Sequence, residues 1–188
     1  MLNTLRHFAA WSIGLAHAET QTDAEERACL VKHVQGCNRA VEIGSWHGVT
    51  TAVLRRAMRP EGTLYAVDPY AVGRLGFSIP RTIAHREVGR VRGARVEWLR
   101  TTGEAAARLV SPEVDFVFID GMHTYEGLQA DWQAWRTMVR EGGTIALHDS
   151  AGAAADAGSA RYTKAVISKD PDFETIDVVR TLTVLRRK

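Results

Sequence analysis

Ala40-Val41-Glu42-Ile43-Gly44-Ser45-Trp46-His47-Gly48 changes the rhythm of the chain. Before it, residues 3–18 and 22–36 read as two helices, and Thr22 with Glu25 has the form of a capping box for the second. At 40–43 the strand pattern takes over, and a glycine ends it. That is a short buried strand. Residues 48–58 return to a helical period and stop at Arg59-Pro60-Glu61-Gly62. The unit is strand, glycine turn, helix.

The same unit recurs outward from it. Leu64–Val67 is a second strand and ends at Asp68-Pro69. A loop, Tyr70–Ile79, carries Gly73, Arg74, Gly76 and Phe77, borders the site by position and could select a substrate. Residues 81–91 read as a helix, Arg95–Leu99 as a strand and Gly103–Val110 as a short helix. Val114–Ile119 is an apolar strand ending at Asp120-Gly121. Tyr125–Arg140 is a long helix closed by Gly142-Gly143, and its Trp132, Trp135 and Met138 are core by spacing. Thr144–Leu147 is a strand ending at His148-Asp149. After an Ala/Gly-rich stretch at 151–159, residues 160–168 read as a helix, and 173–179 with 181–186 as an antiparallel pair.

Strands alternating with helices call for a parallel sheet with helices on both faces. The expected fold is α/β, a Rossmann-like doubly wound sheet of seven strands, mostly parallel with a C-terminal antiparallel strand. One domain spans 1–188: N-terminal helices at 1–37, a binding core at 38–150, and a helix with a strand pair at 151–188. In such sheets a ligand sits beyond the carboxyl ends of the strands, near the switch in strand order. Gly44, Asp68, Thr101-Thr102, Asp120 and His148-Asp149 all stand at such ends.

Composition narrows the function. A chain of 188 residues suits one domain. A net charge of +2 with scattered arginines gives no footprint for nucleic acid. No apolar run reaches 18 residues, so no membrane span is expected. Met1–Ala18 is interrupted by His7, Ser12 and His17 and reads as a helix and not as a signal peptide. Cys29 and Cys37 lack metal or redox spacing and are expected as two thiols in a reduced, cytoplasmic setting.

The turn after the first strand discriminates between nucleotides. A dinucleotide site wants a second glycine where the backbone meets a pyrophosphate. Here that position is Trp46. Glu42, two residues before Gly44, repels phosphate and attracts a cation. Asp68 stands 24 residues after Gly44, where a carboxylate can accept both ribose hydroxyls. A structural network for Glu42 and a simple turn cap for Asp68 remain alternatives. The combination suits S-adenosylmethionine (SAM), which has an ammonium, a sulfonium and no phosphate.

At VEIGSWHGVTT (41–51), AVDPY (66–70) and FIDGMHTYEGLQADWQAWRTMVREGGTIALHDS (118–150) the chain resembles class I SAM-dependent methyltransferases. More narrowly it is similar to the small-molecule branch with macrolide sugar O-methyltransferases, and to cephalosporin-hydroxylase-type proteins. The resemblance covers roughly 38–150. It implies that Gly44, Ser45, Trp46 and Gly48 wrap the methionine part, with Glu42 and Thr50 in the same cofactor set. Asp68 would hold the ribose beside Pro69 and Tyr70. Thr102 and Gly103 would lie near the adenine, with Thr102 replacing the usual Asp. Asp120 would serve cofactor, catalysis and metal, and His123 would be the general base. Asp120, His148 and Asp149 would hold Mg²⁺ or another divalent ion, although His148 departs from an acidic pair and weakens a hard-cation site. Asp131 reads as a helix residue bonding locally, Trp11 as core or lid, and His47 as substrate-facing or surface. Expected partners are a small-molecule acceptor and, as an open option, a second copy in a homodimer. Neither nucleic acid nor a membrane is expected. The leading function is O-methylation of a small hydroxylated acceptor such as a sugar or natural product. The alternatives are a non-catalytic SAM-binding module or partner subunit, and a nucleotide-dependent oxidoreductase that Trp46 disfavours.

Overall fold

The computed structural model describes residues 2–73 and 76–188. Arg74 of the loop after the second strand lies outside the described residues. The elements in order are α1 (Leu2–Ser12), α2 (Ala24–Val34), β1 (Arg39–Ile43), α3 (Val49–Ala57), β2 (Thr63–Val67), α4 (Ile79–Gly89), β3 (Arg95–Leu99), α5 (Gly103–Ala106), β4 (Val114–Ile119), α6 (Tyr125–Trp135), β5 (Val139–Leu147), α7 (Gly158–Ala165), β6 (Phe173–Val179) and β7 (Leu182–Arg187). Two single turns of 3₁₀-helix flank α7 at Gly152–Ala154 and Ile167–Lys169.

The seven strands form one sheet in the order β3-β2-β1-β4-β5-β7-β6. The first five are parallel, and β7 runs antiparallel to β5 and β6. The strand order reverses between β1 and β4, which puts the crevice at their carboxyl ends. Alternate side chains split the core into two layers. Val117 and Ile119 of β4 pack with Trp132 and Trp135 of α6 and Tyr162 of α7. Phe116 and Phe118 face the other way, onto Leu30 and Val34 of α2 and Leu54 of α3.

The carboxyl ends are locked level with one another. Beyond the last paired residues, Gly44 N–H donates to Val67 O at 2.8 Å and Asp120 N–H to Ile43 O at 2.8 Å. Asp68 N–H donates to Leu99 O at 3.1 Å, and His148 N–H to Ile119 O at 3.0 Å. Four strands thus present their next residue along one edge.

Several element ends differ from the sequence reading. The first helix stops at Ser12, six residues short of Ala18, and Gly14 beyond it adopts a left-handed φ of 81°. The cap of α2 is Asp23 with Glu26 and not Thr22 with Glu25. Thr22 is buried and turns its hydroxyl to Thr20 and Thr50. The long helix ends at Trp135, because Val139 pairs with Val114 and opens β5 five residues early. Gly142-Gly143 is a break inside that strand and not a helix stop. The helix from Gly103 ends at Ala106 in place of Val110, and the helix expected at 160–168 is α7 plus a 3₁₀ turn.

The aromatic core residues on α6 are where the spacing put them. Trp132 and Trp135 are buried, and the Trp135 indole donates to Gly103 O at 2.9 Å. Trp11 is buried too, its indole donating to Glu87 at 2.8 Å, so α1 packs on α4. Cys29 and Cys37 are free thiols. Among the described residues no helix is long and apolar enough to cross a membrane.

Candidate functional site

A cavity of about 520 Å³ opens at the switch point between β1 and β4. Its floor is the turn Gly44–Thr50. Asp68 and Pro69 after β2, Thr101–Glu104 after β3, and Asp120–His123 after β4 make its walls. Asp131 of α6 closes one side, and Glu19, Thr20 and Gln21 from the α1–α2 turn close the other.

The turn is built by backbone geometry. Gly44 has φ 93°, and a Cβ there would fall on the carbonyl oxygen of Asp120. Only glycine lets β1 and β4 approach so closely at this level. Non-glycine residues after the carboxyl ends of β1, β2 and β5 also have positive φ: Trp46 at 38°, Tyr70 at 45° and Asp149 at 49°. Such strain is held where the surrounding structure over-determines it, often at functional sites.

Asp68 ties two of these turns together. Its Oδ2 accepts from Trp46 N at 3.0 Å and its Oδ1 from Tyr70 N at 2.8 Å. Each carboxylate oxygen keeps a second lone pair for a ligand hydroxyl. Thr102 caps α5 by accepting from Ala105 N, and its place on the wall leaves the hydroxyl hydrogen to donate. Thr50 lines the cavity with its hydroxyl 3.2 Å from that of Thr22.

Charge in the cavity has one sign. Glu19, Asp68, Glu104, Asp120 and Asp131 line it, and no lysine or arginine does so among the described residues. A pyrophosphate has no counter-charge here; a sulfonium and an ammonium do. Burial, then Glu104 nearby, pushes Asp131 up to about 6. SAM fits this cradle: a glycine turn without room for a Cβ, the fixed Asp68 carboxylate with lone pairs to spare, and an acidic wall.

Two residues expected at the cofactor stand elsewhere. Glu42 does not line the cavity. It is fully buried under the turn, its Oε2 accepting from Thr51 and its Oε1 without a partner. Burial pushes its carboxyl up to about 8, which favours the neutral form at pH 7 and weakens its pull on a cation. Attraction for a cation rests on the acidic wall more than on Glu42. Tyr70 also lies off the cavity, buried with its ring 6.2 Å from that of Trp98. Ser45, Trp46, Gly48, Pro69 and Gly103 do line the cavity.

The sequence left His47 between surface and substrate, and it is neither exposed nor free. It is 4% exposed, lines the cavity and accepts at Nδ1 from Glu19 N at 3.1 Å. It stacks on Trp46 at 4.3 Å and on His7 at 5.7 Å. Burial holds its pKa below the ordinary histidine range.

The β4 and β5 ends carry a chain of charged groups. His123 Nδ1 lies 3.0 Å from Asp149 Oδ2. His148 Nδ1 lies 2.9 Å from Asp120 Oδ1 and 3.7 Å from Asp149 Oδ2, and His148 Nε2 lies 3.4 Å from Glu26 Oε2. Neither ring nitrogen of His148 is aligned for a hydrogen bond. Burial alone would lower the pKa of His148, but Asp120, Asp149 and Glu26 around it raise it to about 9. Burial raises Asp120 as well, against the pull of His148. Glu26 and the turn residues Glu19–Gln21 had no signal in the sequence beyond helix capping, because only the tertiary fold brings them here.

The expected metal set was Asp120, His148 and Asp149. The atoms lying within 4.8 Å of one another belong instead to Asp120, His123 and His148. Asp149, in its left-handed turn, gives its carboxylate to His123. One carboxylate with two imidazoles is a poor set for Mg²⁺, which wants oxygen. The carboxylates of Asp120, Asp149 and Glu26 moreover favour the protonated form of His148, which ligates no metal. A hard divalent ion does not fit these residues.

A family model described as a methyltransferase domain matches residues 41–150. Among solved structures, cofactor-bound Rv0187 from MTB has a TM-score of 0.74 at 20% identity, over 98% of this chain and 89% of that one. The O-methyltransferase TomG from Streptomyces achromogenes, in complex with SAM, has 0.64 at 17% identity over 98% and 88%. The N-methyltransferase NodS from Bradyrhizobium japonicum WM9 has 0.63 at 14% identity over 87% and 94%. At such identities these neighbours share the fold. The family match spans every strand end described above, from Gly44 to Asp149. The chain belongs to the methyltransferase-domain family and is a class I SAM-dependent methyltransferase.

Proposed function

We propose that the protein O-methylates a small hydroxylated acceptor, a sugar or natural product, with His123 as general base. The observation that carries this reading is the 3.0 Å contact of His123 Nδ1 with Asp149 Oδ2 at the rim of the donor cavity. SAM supplies an electrophilic methyl on a sulfonium, which leaves as a neutral thioether. The chain's own part is to bind, aim and deprotonate. Asp68 and the Gly44–Gly48 turn anchor the donor at the β1 and β2 ends. Asp149 fixes the ring of His123, which leaves Nε2 to take the acceptor's hydroxyl proton as its oxygen bonds to the methyl carbon. Asp149 then faces the imidazolium so formed. Such base assistance is worth about 10²–10⁴-fold.

A small acceptor is favoured over nucleic acid by the acidic cavity wall and the net charge of only +2. Mg²⁺ has no step in this reading, because the donor set at Asp120, His123 and His148 does not suit it. The test is turnover of SAM with a hydroxylated-acceptor panel, with and without a strong chelator, in wild type and His123→Ala. The reading requires acceptor-dependent S-adenosylhomocysteine that chelator leaves unchanged and His123→Ala nearly abolishes. Full activity in His123→Ala would remove the base, and SAM binding without any turnover would favour a non-catalytic module.

A further inference from the structure

A second cavity, also of about 520 Å³, opens beside the first. Its walls come from the start of α2, the end of β5, and the turn between β6 and β7. Gln21 lines both cavities. His148 and Asp149 line only the second, whereas their contacts Asp120 and His123 line only the first. The pair of ionic contacts is therefore the partition between the two spaces, and the proposed base stands in it.

The second cavity has the marks of a binding site. His148 is 5% exposed, and neither ring nitrogen has an aligned hydrogen-bond partner, although Asp120 lies 2.9 Å from Nδ1 and Glu26 3.4 Å from Nε2. A buried polar group so placed is unfavourable unless something else satisfies it. The wall is rigid where it meets α2: Glu26, 2% exposed, accepts from Thr181 N at 3.1 Å, from Thr181 Oγ1 at 2.7 Å and from Asp23 N at 2.9 Å. Its charge is one-sided. Asp23, Glu26 and Asp149 line it, with Asp120 behind His148. Among the described residues the one lining guanidinium, Arg180, is well exposed at the rim and already paired with Asp23 at 2.9 Å. With or without a second proton on His148, carboxylates outnumber cations.

We propose that this second cavity is the acceptor subsite, and that it selects a hydroxylated small molecule carrying an amine over one carrying a carboxylate. The inference rests on the methyl-transfer reading above and adds the acceptor's place and charge. An acceptor seated here presents its hydroxyl past Asp149 to His123, at the boundary with the donor cavity. Its ammonium lies among Glu26, Asp149 and Asp23. An anion would meet more carboxylates than His148 and Arg180 can offset.

The probes are glucosamine, N-acetylglucosamine and glucuronate, titrated into protein saturated with S-adenosylhomocysteine and followed by saturation-transfer NMR. Glucosamine should bind at least about tenfold more tightly than glucuronate, with N-acetylglucosamine between them. Ala153 is exposed and lines only the second cavity. Ala153→Trp should remove glucosamine binding while calorimetry shows S-adenosylhomocysteine affinity within about twofold of wild type. Glu26→Gln should narrow the glucosamine preference. Equal or tighter glucuronate binding, an Ala153→Trp variant that still binds glucosamine, or no binding by any of the three sugars would overturn the subsite. If S-adenosylhomocysteine itself fails to bind, the donor reading falls first and this inference with it.

Discussion

The donor half and the acceptor half of this site are built on different principles. The donor half, at the ends of β1 and β2, is made by backbone: a glycine that admits β4, two left-handed turns, and one carboxylate accepting two backbone N–H groups. The proposed acceptor half, at the ends of β4 and β5, is made by side chains in ionic contact. Its members come from α2, the β4 and β5 ends and the β6–β7 turn. The first half depends on local conformation and tolerates little change in shape. The second depends on charge and proton position, and its parts can be altered one at a time.

The largest expected effect lies in the acceptor half. His123→Ala should lower kcat by about 10²–10⁴-fold while S-adenosylhomocysteine affinity stays within about twofold, and Asp149→Asn should show a smaller loss of the same kind. Steady-state kinetics paired with calorimetry read both numbers. A fall in cofactor affinity as large as the fall in rate would mean that the halves are not separable.

Next comes the donor half. Gly44→Ala puts a Cβ on the Asp120 carbonyl at a φ of 93°. S-adenosylhomocysteine affinity should fall by about 100-fold or more, a cost of roughly 3 kcal/mol. Circular dichroism separates a damaged turn from a damaged fold. Wild-type affinity in Gly44→Ala would show that the β1–β4 approach is not what shapes the cavity.

A pH titration of stability probes the charge chain. The pKa of His148 is raised from 6.5 to about 9 in the folded state. Its contribution is therefore fully present below about pH 6.5 and is lost as pH rises through about 9; the shift amounts to a few kcal/mol. Denaturant melts between pH 6 and 9.5 should show this loss, and His148→Gln should flatten it. Glu42 also loses stability with rising pH, but over the lower window from 4.5 to about 8. An unchanged slope in His148→Gln would mean that His148 does not carry the extra proton.

The smallest effect expected is at Glu42. Because that carboxyl is buried off the cavity and its neutral form is favoured at pH 7, Glu42→Gln should leave SAM affinity within about threefold, as calorimetry can measure. A much larger loss would restore the charge argument that the sequence suggests.

The contrast between the halves also explains what could be read from residues alone. The strand–glycine–helix unit at 40–58, Asp68 after β2, and Asp120 after β4 are local signals, each tied to a strand end that periodicity reveals. They make a mostly parallel α/β sheet legible, whereas the strand order comes from the structure. Glu42 misled because its spacing resembles a ligand position, whereas burial depth is set by strands on both sides. The pairing of Asp149 with His123 was not legible, since it depends on a left-handed turn at a non-glycine residue. Glu26 looked like an ordinary helix residue; only the closing of α2 against the β6–β7 turn gives it His148 and Thr181. The break at Gly142-Gly143 read as a helix stop because glycines end helices more often than they interrupt strands.

The most direct measurement is calorimetric titration of the wild-type protein with S-adenosylhomocysteine and, separately, with NAD. The acidic cavity, lined by no lysine or arginine among the described residues, predicts micromolar binding of S-adenosylhomocysteine and no measurable heat with NAD. NAD binding as tight as, or tighter than, S-adenosylhomocysteine binding would contradict the account at its centre.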